Sequence, residues 1–304
     1  MEKIRADLAA FPEIRLLPRT TVAGYYDHNY LTLAERKFYH LGRGADGVRQ
    51  RLWKVRAKRV VLATGAHEWP LVFADNDRPG IMLAGATRTY ANRYGVLPRR
   101  CGVVFTNNDS AYDVAIDLAK AGCRIEAILD VRVQAMGPAA ERAFAVGLRV
   151  ICGAAIVGVN GTKRVKGVEI VRLAADGETA SGPVERLSCD FVAASGGWTP
   201  AVHLMSQSGG KLLYDDEKAC FVPDRSVQAE SSAGAWNGAF SLLGALSEGA
   251  AAGRAAAEAA GLTPAKRAAF PKVEAEEPQP IHPLWIVPGK KPVGFGKAKN
   301  FVNV

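Results

Sequence analysis

What this 304-residue sequence lacks already excludes several classes of protein. No apolar run approaches the roughly 18 residues that a membrane-spanning helix needs, and the amino terminus has no hydrophobic signal-peptide core. The five cysteines are scattered without a C-x-x-C pair, which predicts reduced thiols in a cytoplasmic protein rather than disulfides or a zinc site. There is no P-loop and no G-x-S-x-G nucleophile elbow. We therefore expect a globular protein with no membrane segment and no metal site.

Positive charge is concentrated at the start of the chain. Residues 1–100 carry 18 Lys and Arg against 9 Asp and Glu, whereas residues 101–304 carry 21 of each, so the first third holds all of the net +9. Lys54, Arg56 and Lys58 alternate onto one face of a predicted strand. Neither aromatic interleaving nor a nucleic-acid motif accompanies this stripe, so we expect a solvent-facing or partner-facing surface and no nucleic-acid binding.

The hydrophobic pattern predicts an α/β protein with a β-meander. Residues 31–36 and 51–58 alternate like half-exposed strands on either side of a polar turn, and residues 60–63 form an apolar run typical of a buried parallel strand. The turn matches the letters of the dinucleotide fingerprint G-x-G-x-x-G at residues 42–47. Because a strand follows these glycines instead of a helix, we interpret them as a hairpin and not as a phosphate site.

A second region has strand–helix–strand spacing. Strand-like residues 103–105, a helical stretch over 110–121 and strand-like residues 124–129 predict a parallel sheet, which the apolar run 190–195 closes. Its turn, residues 106–111, has no glycine to admit a pyrophosphate. We expect Asp109 or Ser110 to cap the helix, with Asp113 completing a capping box, and Asp130 to lie where a ribose-binding acid would. The predicted second dinucleotide site is therefore weakened or lost.

Two glycine-containing segments are the best candidates for cofactor contacts. The apolar run 60–63 ends in Thr64, Gly65 and Ala66, where a missing side chain admits a close backbone approach. Residues 234–261 are rich in Ala and Gly, and we expect a long helix that opens near residue 234 and presents N–H groups. Six candidate contacts follow: Thr64, Gly65, Ala66, Gly234, Asn237 and Gly238. Tight packing of small residues against a sheet is an alternative interpretation of the second segment.

Several strings of residues closely resemble the alpha subunit of heterotetrameric sarcosine oxidase. They are GYYDHN (24–29), RQRLWKVRA (49–57), ATGAHE (63–68), NDRPGIMLA (76–84), RTY (88–90), FTNNDSAY (105–112) and GGWTP (196–200). The resemblance runs from about residue 10 to the chain end. It implies an FAD/NAD(P)-binding, two-dinucleotide-domain flavoprotein-like fold with a β-meander, which corresponds to the central part of that subunit.

The same resemblance implies cofactors and partners. In this family the alpha subunit binds NAD, FAD lies in the beta subunit, FMN lies at the alpha–beta interface, and tetrahydrofolate binds a C-terminal domain of alpha. Sarcosine loses its methyl group as formaldehyde or methylenetetrahydrofolate while oxygen becomes hydrogen peroxide. The implied partners are the beta, gamma and delta subunits. No residue of this sequence matches a catalytic acid, base or nucleophile of the family.

The resemblance also implies domain boundaries. Residues 1–97 are expected to hold the C-terminal part of the first dinucleotide domain with its meander, residues 98–194 an inserted second Rossmann-like domain, and residues 195–262 the return to the first. Residues 263–304 have the composition of a Pro-rich linker toward a folate domain. We expect the family's N-terminal glycine fingerprint and folate domain to lie outside this truncated chain, so that it is inactive and binds NAD weakly when alone.

Two other functions stay open. The chain fits a subunit of a related amine or opine dehydrogenase, although the cysteine clusters of an iron–sulfur centre are missing from the sequence. It also fits a non-catalytic scaffold that docks a flavoprotein beta subunit.

Overall fold

The structure, a computed structural model, describes residues 2–41, 47–135, 137–264, 273 and 280–289. Most of the fingerprint-like turn and much of the predicted linker lie outside the described residues. The described strands are β1 (Thr20–Tyr26), β2 (Tyr30–Arg36), β3 (Gln50–Arg56), β4 (Val60–Leu62), β5 (Ala66–Glu68), β6 (Ile81–Leu83), β7 (Cys101–Thr106), β8 (Arg124–Asp130), β9 (Val150–Cys152), β10 (Ala154–Asn160), β11 (Gly167–Leu173), β12 (Ala180–Leu187), β13 (Phe191–Ser195), β14 (Trp198–Pro200), β15 (Lys211–Asp215), β16 (Cys220–Arg225) and β17 (Glu230–Ser232). The α-helices are α1 (Glu2–Ala9), α2 (Ala84–Tyr94), α3 (Ser110–Lys120), α4 (Pro138–Ala145), α5 (His203–Gln207) and α6 (Leu242–Ala259).

The described residues divide into two compact units. Unit 1 contains residues 2–41, 47–65, 201–213 and 222–264, and unit 2 contains 66–135, 137–200, 214–221, 273 and 280–289. The chain thus passes between the units at residues 65–66, 200–201, 213–214 and 221–222, whereas the sequence predicted domain boundaries after residues 97 and 194. The difference arises because β6 and α2 pack onto the sheet of unit 2.

Unit 2 is built on a parallel five-stranded sheet in the order β6-β13-β7-β8-β9. The predicted strand–helix–strand unit is confirmed as β7-α3-β8. Alternate side chains of each strand enter two different cores: Val103 and Phe105 pack toward the antiparallel sheet β10-β11-β12, whereas Val104 packs toward α3 and α4. Burial on both faces explains why these strands form continuous apolar runs in the sequence.

Unit 1 contains the predicted meander, an antiparallel sheet in the order β1-β2-β3. Its core includes Tyr25, Leu31, Met205 and Trp236, all at most 8% exposed. The basic side chains of β3 and the residues after it are exposed at alternate positions, as predicted. A separate pair of parallel strands, β4 and β17, carries the candidate cofactor contacts.

The strand at residues 60–63 differs from its prediction. Leu62 is buried, but Val61 is 39% exposed and Ala63 is exposed as well. The expected parallel pairing is present, but the expected burial was wrong at Val61 and Ala63; among the described residues β4 lies in a two-stranded sheet with β17. An apolar run records the hydrophobicity of a strand and not the number of its neighbours.

Candidate cofactor-binding site

Parallel pairing of β4 and β17 brings the two predicted segments together. Leu62 lies opposite Ser232, and the N–H of Ala233 donates to the carbonyl of Leu62 at 3.0 Å. Thr64 and Gly65 leave the carboxyl end of β4, and the turn that contains Gly234 leaves the carboxyl end of β17. Strand ends of this kind line the ligand crevice in parallel α/β sheets.

The sequence predicted that a long helix begins near Gly234, and this prediction was wrong. Residues Gly234–Asn237 form a 3₁₀ turn, which Gly238 ends at φ +80°, and α6 begins only at Leu242. The N-cap of α6 is Ser241, whose hydroxyl accepts the N–H of Gly244 at 3.1 Å. The helix cannot start at Gly234 and continue, because Gly238 takes the left-handed conformation that interrupts a helix.

The carbonyl of Ala201 links both segments. It accepts the indole N–H of Trp236 at 2.8 Å and the hydroxyl of Thr64 at 3.5 Å. The backbone N–H of Ala201 donates to the carbonyl of Gly65 at 3.0 Å. Because Trp236 is only 1% exposed, this arrangement anchors the predicted contacts to the core of unit 1.

Glu248 holds the 3₁₀ turn from the side of α6. Its carboxylate accepts the N–H of Gly234 at 2.9 Å and the side-chain amide of Asn237 at 3.3 Å. The oxygen of that amide accepts the hydroxyl of Ser232 at 3.0 Å. Glu248 could not be predicted from the sequence, since its separation of 14 residues from Gly234 matches no local capping pattern.

Thr64 is exposed, and a Cβ placed on Gly65, at φ +80°, would meet nothing within 4 Å. Gly65 therefore leaves open space at the carboxyl end of β4. Ala66, the remaining predicted contact, begins β5 and pairs with Pro200, so it belongs to unit 2. The structure thus gathers five of the six candidates in unit 1.

In unit 2, Asp130 ends β8 at the position expected for a ribose-binding acid, but it is fully buried. Its carboxylate accepts the hydroxyl of Tyr112 at 2.7 Å and the guanidinium of Arg132 at 2.7 Å. Burial, together with the Asp130 charge, raises the pKa of Tyr112 well above its usual range, so the phenol stays a neutral donor. The oxygens of Asp130 are thus engaged by the chain itself.

The amino end of α3 is capped differently from the prediction. Asn108 accepts the N–H of Ser110 at 3.0 Å and its hydroxyl at 2.6 Å. Asp109 makes no side-chain capping bond and pairs with Arg132 at 2.7 Å, while Asp113 pairs with Arg142 at 3.0 Å. The expected capping box was therefore wrong, because arginines distant in sequence bind both carboxylates.

Glu68 on β5 is an acid that no sequence pattern indicated as a functional residue. Burial raises its pKa to about 7, and this effect outweighs the opposing bonds from the Ser195 hydroxyl and the Gly85 N–H. The Gly85 N–H, in the first turn of α2, donates to Oε2 at 2.8 Å. Glu68 can therefore gain or lose a proton near neutral pH. No local motif could reveal it, because the shift depends on tertiary burial.

Within the described residues, no three His, Cys, Asp or Glu side chains gather as a possible metal site. None of the helices that the structure describes is long and apolar enough to cross a membrane.

Comparison with solved structures identifies the class of fold. The chain matches thioredoxin reductase from T. acidophilum with a TM-score of 0.56 at 18% identity, over 86% of this chain and 78% of that one. Thioredoxin reductase from Lactococcus lactis also gives a TM-score of 0.56, at 17% identity over 79% and 73%. The fold is that of FAD/NAD(P)-binding oxidoreductases, and the predicted fold class is confirmed.

Sequence comparison then identifies the particular relatives. The chain is 45% identical over 287 residues to the alpha subunit of sarcosine oxidase from Corynebacterium sp. strain P-1, covering 93% of this chain and 29% of that protein. The corresponding subunit from Rhizobium meliloti is 37% identical, with 98% and 29% covered. The chain is thus a relative of the sarcosine oxidase alpha subunits, which confirms the resemblance seen in the sequence.

A more distant relative is an opine oxidase subunit from Rhizobium meliloti, 24% identical over 59% of this chain and 36% of that protein. No family model matches the chain. The chain spans about 30% of the length of its sarcosine oxidase relatives.

Proposed function

We propose that this chain is the part of a sarcosine oxidase alpha subunit that supplies its NAD-binding module. The observation that carries the proposal is the parallel pairing of β4 with β17, which sets Thr64, Gly65 and the Gly234–Asn237 turn at one sheet edge. This is the edge at which α/β proteins of this fold class bind nucleotides.

The residues at this edge fit a dinucleotide in different ways. Thr64 presents an exposed hydroxyl, and Gly65 leaves space for a close approach to the backbone. The N–H of Gly234 and the amide of Asn237 already bind Glu248, so we assign these two residues, with Gly238, to shaping the turn. Thr64 and Gly65 are then the direct contacts, and Ala66 continues from them into unit 2.

The proposed whole enzyme converts sarcosine, oxygen and water to glycine, formaldehyde and hydrogen peroxide, or passes the one-carbon unit to tetrahydrofolate. In this scheme the flavins carry out the oxidation, with FAD in the beta subunit, while FMN lies where beta meets alpha. Tetrahydrofolate binds another domain of alpha, and the gamma and delta subunits complete the complex. This chain therefore binds and orients a nucleotide, and no acid, base or nucleophile is assigned to it.

The test uses the complete enzyme that contains this chain. Gly65→Val places a branched side chain at φ +80° beside the proposed nucleotide, and Gly95→Val is its matched control at φ +64° in unit 2, equally free of neighbours within 4 Å. Denaturation releases bound nucleotide, which is then identified and quantified. We expect wild type and Gly95→Val to carry NAD, and Gly65→Val to lose it by about tenfold or more, the loss of one or two good contacts.

Equal NAD content in all three proteins would remove the assignment of Thr64 and Gly65. Absence of NAD from the wild-type complex would overturn the proposed module itself.

A component of an opine-oxidising enzyme is the second candidate, because the opine oxidase relative matches 59% of the chain. Oxygen consumption by the purified complex distinguishes the two: turnover of sarcosine but not of opines supports the first, and the reverse result supports the second.

A further inference from the structure

The second crevice of the molecule lies where β7 and β13 end side by side in unit 2. Ser195 pairs with Thr106 at the last register position, and the chain leaves β7 toward α3 and leaves β13 toward β14. A position of this kind, at the carboxyl ends of adjacent parallel strands, is the ligand crevice of doubly wound sheets. In this protein residues 280–287, which we call the strap, lie across it.

The strap crosses three neighbouring strand ends in spatial order. After β8, Arg132 donates to the carbonyl of Pro280 at 3.4 Å. After β7, the side-chain amide of Asn107 donates to the carbonyl of His282 at 2.9 Å, and the N–H of His282 donates to the carbonyl of Asn107 at 3.2 Å. After β13, the indole N–H of Trp285 donates to the carbonyl of Gly196 at 2.9 Å. The strap therefore follows the path that a ligand would take across this sheet.

Its far end joins the fold as an additional short strand segment. The N–H of Val72 donates to the carbonyl of Trp285 at 2.7 Å, and the N–H of Val287 donates to the carbonyl of Val72 at 2.8 Å. Val287 is 1% exposed and belongs to the core of unit 2, whereas Ile286, which lies between Trp285 and Val287, is 66% exposed. This part of the predicted linker is consequently packed into unit 2.

Gly196 and Gly197, which follow β13, leave room for the strap because they have no side chains. A Cβ on Gly197 would overlap the side chain of Ile281, and one on Gly196 would lie 3.2 Å from the Trp285 ring. Nucleotide binding is one reason for glycines at such a strand end, and a closely packed peptide is another. Here the peptide occupies the space.

We infer that the second crevice is a peptide-binding site occupied by the chain's own residues 280–287, and that the strap excludes a dinucleotide from unit 2. The groups around it agree: Asn108 occupies the amino end of α3, and Asp130 is enclosed by Arg132 and Tyr112. A nucleotide entering this crevice would have to displace the strap and break these bonds as well. The inference rests on contacts within unit 2 and not on the proposed NAD module.

The test measures hydrogen–deuterium exchange of the complete protein in three forms: the wild type, a release variant and a control variant of the strap. The release variant combines Ile281→Ser with Trp285→Ala, and the matched control is Ile286→Ser, which alters the exposed residue between the two anchors. We expect the Val72 and Val287 amides to exchange slowly in wild type and control, and about tenfold or more faster in the release variant. Amides of β7 and β8 should stay protected in all three, which shows that unit 2 remains folded.

Adding millimolar NAD or NADPH to the wild type is the second arm. Unchanged protection of residues 282–287 supports the inference. Displacement of the strap, seen as faster exchange at Val287 together with slower exchange at residues 107–112, overturns it. Equal exchange at Val72 and Val287 in wild type and release variant overturns it too. These readouts come from unit 2, so loss of the NAD module in unit 1 leaves the result interpretable.

Discussion

Arg132 encloses the carboxylate of Asp130: its Nη2 lies 2.7 Å from Oδ2, and its Nε lies 3.1 Å from each oxygen. The backbone N–H of Arg132 adds a bond of 2.9 Å to Oδ1. Asp130 is fully buried and Arg132 is 8% exposed, so the pair is shielded from water on both sides. A carboxylate at the position of a ribose-binding acid thus serves the structure of unit 2.

Asp130→Asn is the first prediction. It leaves Arg132 with a single carboxylate partner, Asp109, and we expect the free energy of unfolding to fall by about 3 kcal/mol, as for other buried ion pairs that lose one member. Urea denaturation measures the loss. The NAD content of the complex should not change, and a selective loss of nucleotide without loss of stability would contradict the structural role.

The pH dependence of stability provides the second prediction. With a pKa of about 7 in the folded protein against 4.5 for the unfolded chain, Glu68 is protonated only in the folded state between these values. The contribution of Glu68 to the free energy of unfolding is therefore fully present below pH 4.5 and is lost as pH rises to about 7, by an amount on the order of 3 kcal/mol. Glu68→Gln should remove this decrease of the free energy of unfolding with rising pH.

Urea midpoints across pH 5 to 8, a range of about three units around the shifted pKa, provide the measurement. Glu217→Gln, at an exposed turn residue, is the matched control and should retain the wild-type slope. A Glu68→Gln protein with the same slope as wild type would show that another group is responsible.

The third prediction concerns Glu248 and the turn that it holds. Glu248→Ala removes the acceptor for Gly234 and Asn237, and we expect a loss of about 1–3 kcal/mol in stability. Glu248→Gln keeps an oxygen and should lose less. The control is Glu258→Ala on the same helix, where the carboxylate is 57% exposed and lies 4.0 Å from Arg254.

Thermal unfolding and released NAD are measured on all three variants. If Glu258→Ala proved as damaging as Glu248→Ala, the effect would belong to α6 in general and not to the turn.

Two glycines give the fourth prediction, since they differ in their surroundings. A Cβ on Gly102 in β7 would overlap the ring of Phe191, so Gly102→Ala should destabilise by about 2 kcal/mol. A Cβ on Gly249 of α6 meets nothing within 4 Å, so Gly249→Ala should stabilise by up to about 1 kcal/mol. Urea denaturation of the two variants should therefore shift the midpoint in opposite directions.

The strand–helix–strand unit could be predicted from the sequence because its apolar strand runs and its amphipathic helix are local patterns, whichever segments later cover them. The predictions that failed concern partners distant in the chain. Nothing near Asp113 indicates that Arg142 will bind it, and nothing in residues 60–63 shows that Val61 will stay exposed. Local pattern predicts an element, whereas its partners depend on topology.

The sequence by itself determined the class of this protein: its apolar periodicity predicts the parallel sheet and the meander, and its motifs show the relationship to the sarcosine oxidase alpha subunits. Only the tertiary structure decided how the two candidate crevices differ. It joined Thr64 and Gly65 to the Gly234–Asn237 turn through β4 and β17, and it laid residues 280–287 across the second crevice. The pairing of strands and the position of the strap depend on hydrogen bonds between segments that are distant in the chain. The bond between Asn107 and His282 is an example, and no local sequence pattern indicates it.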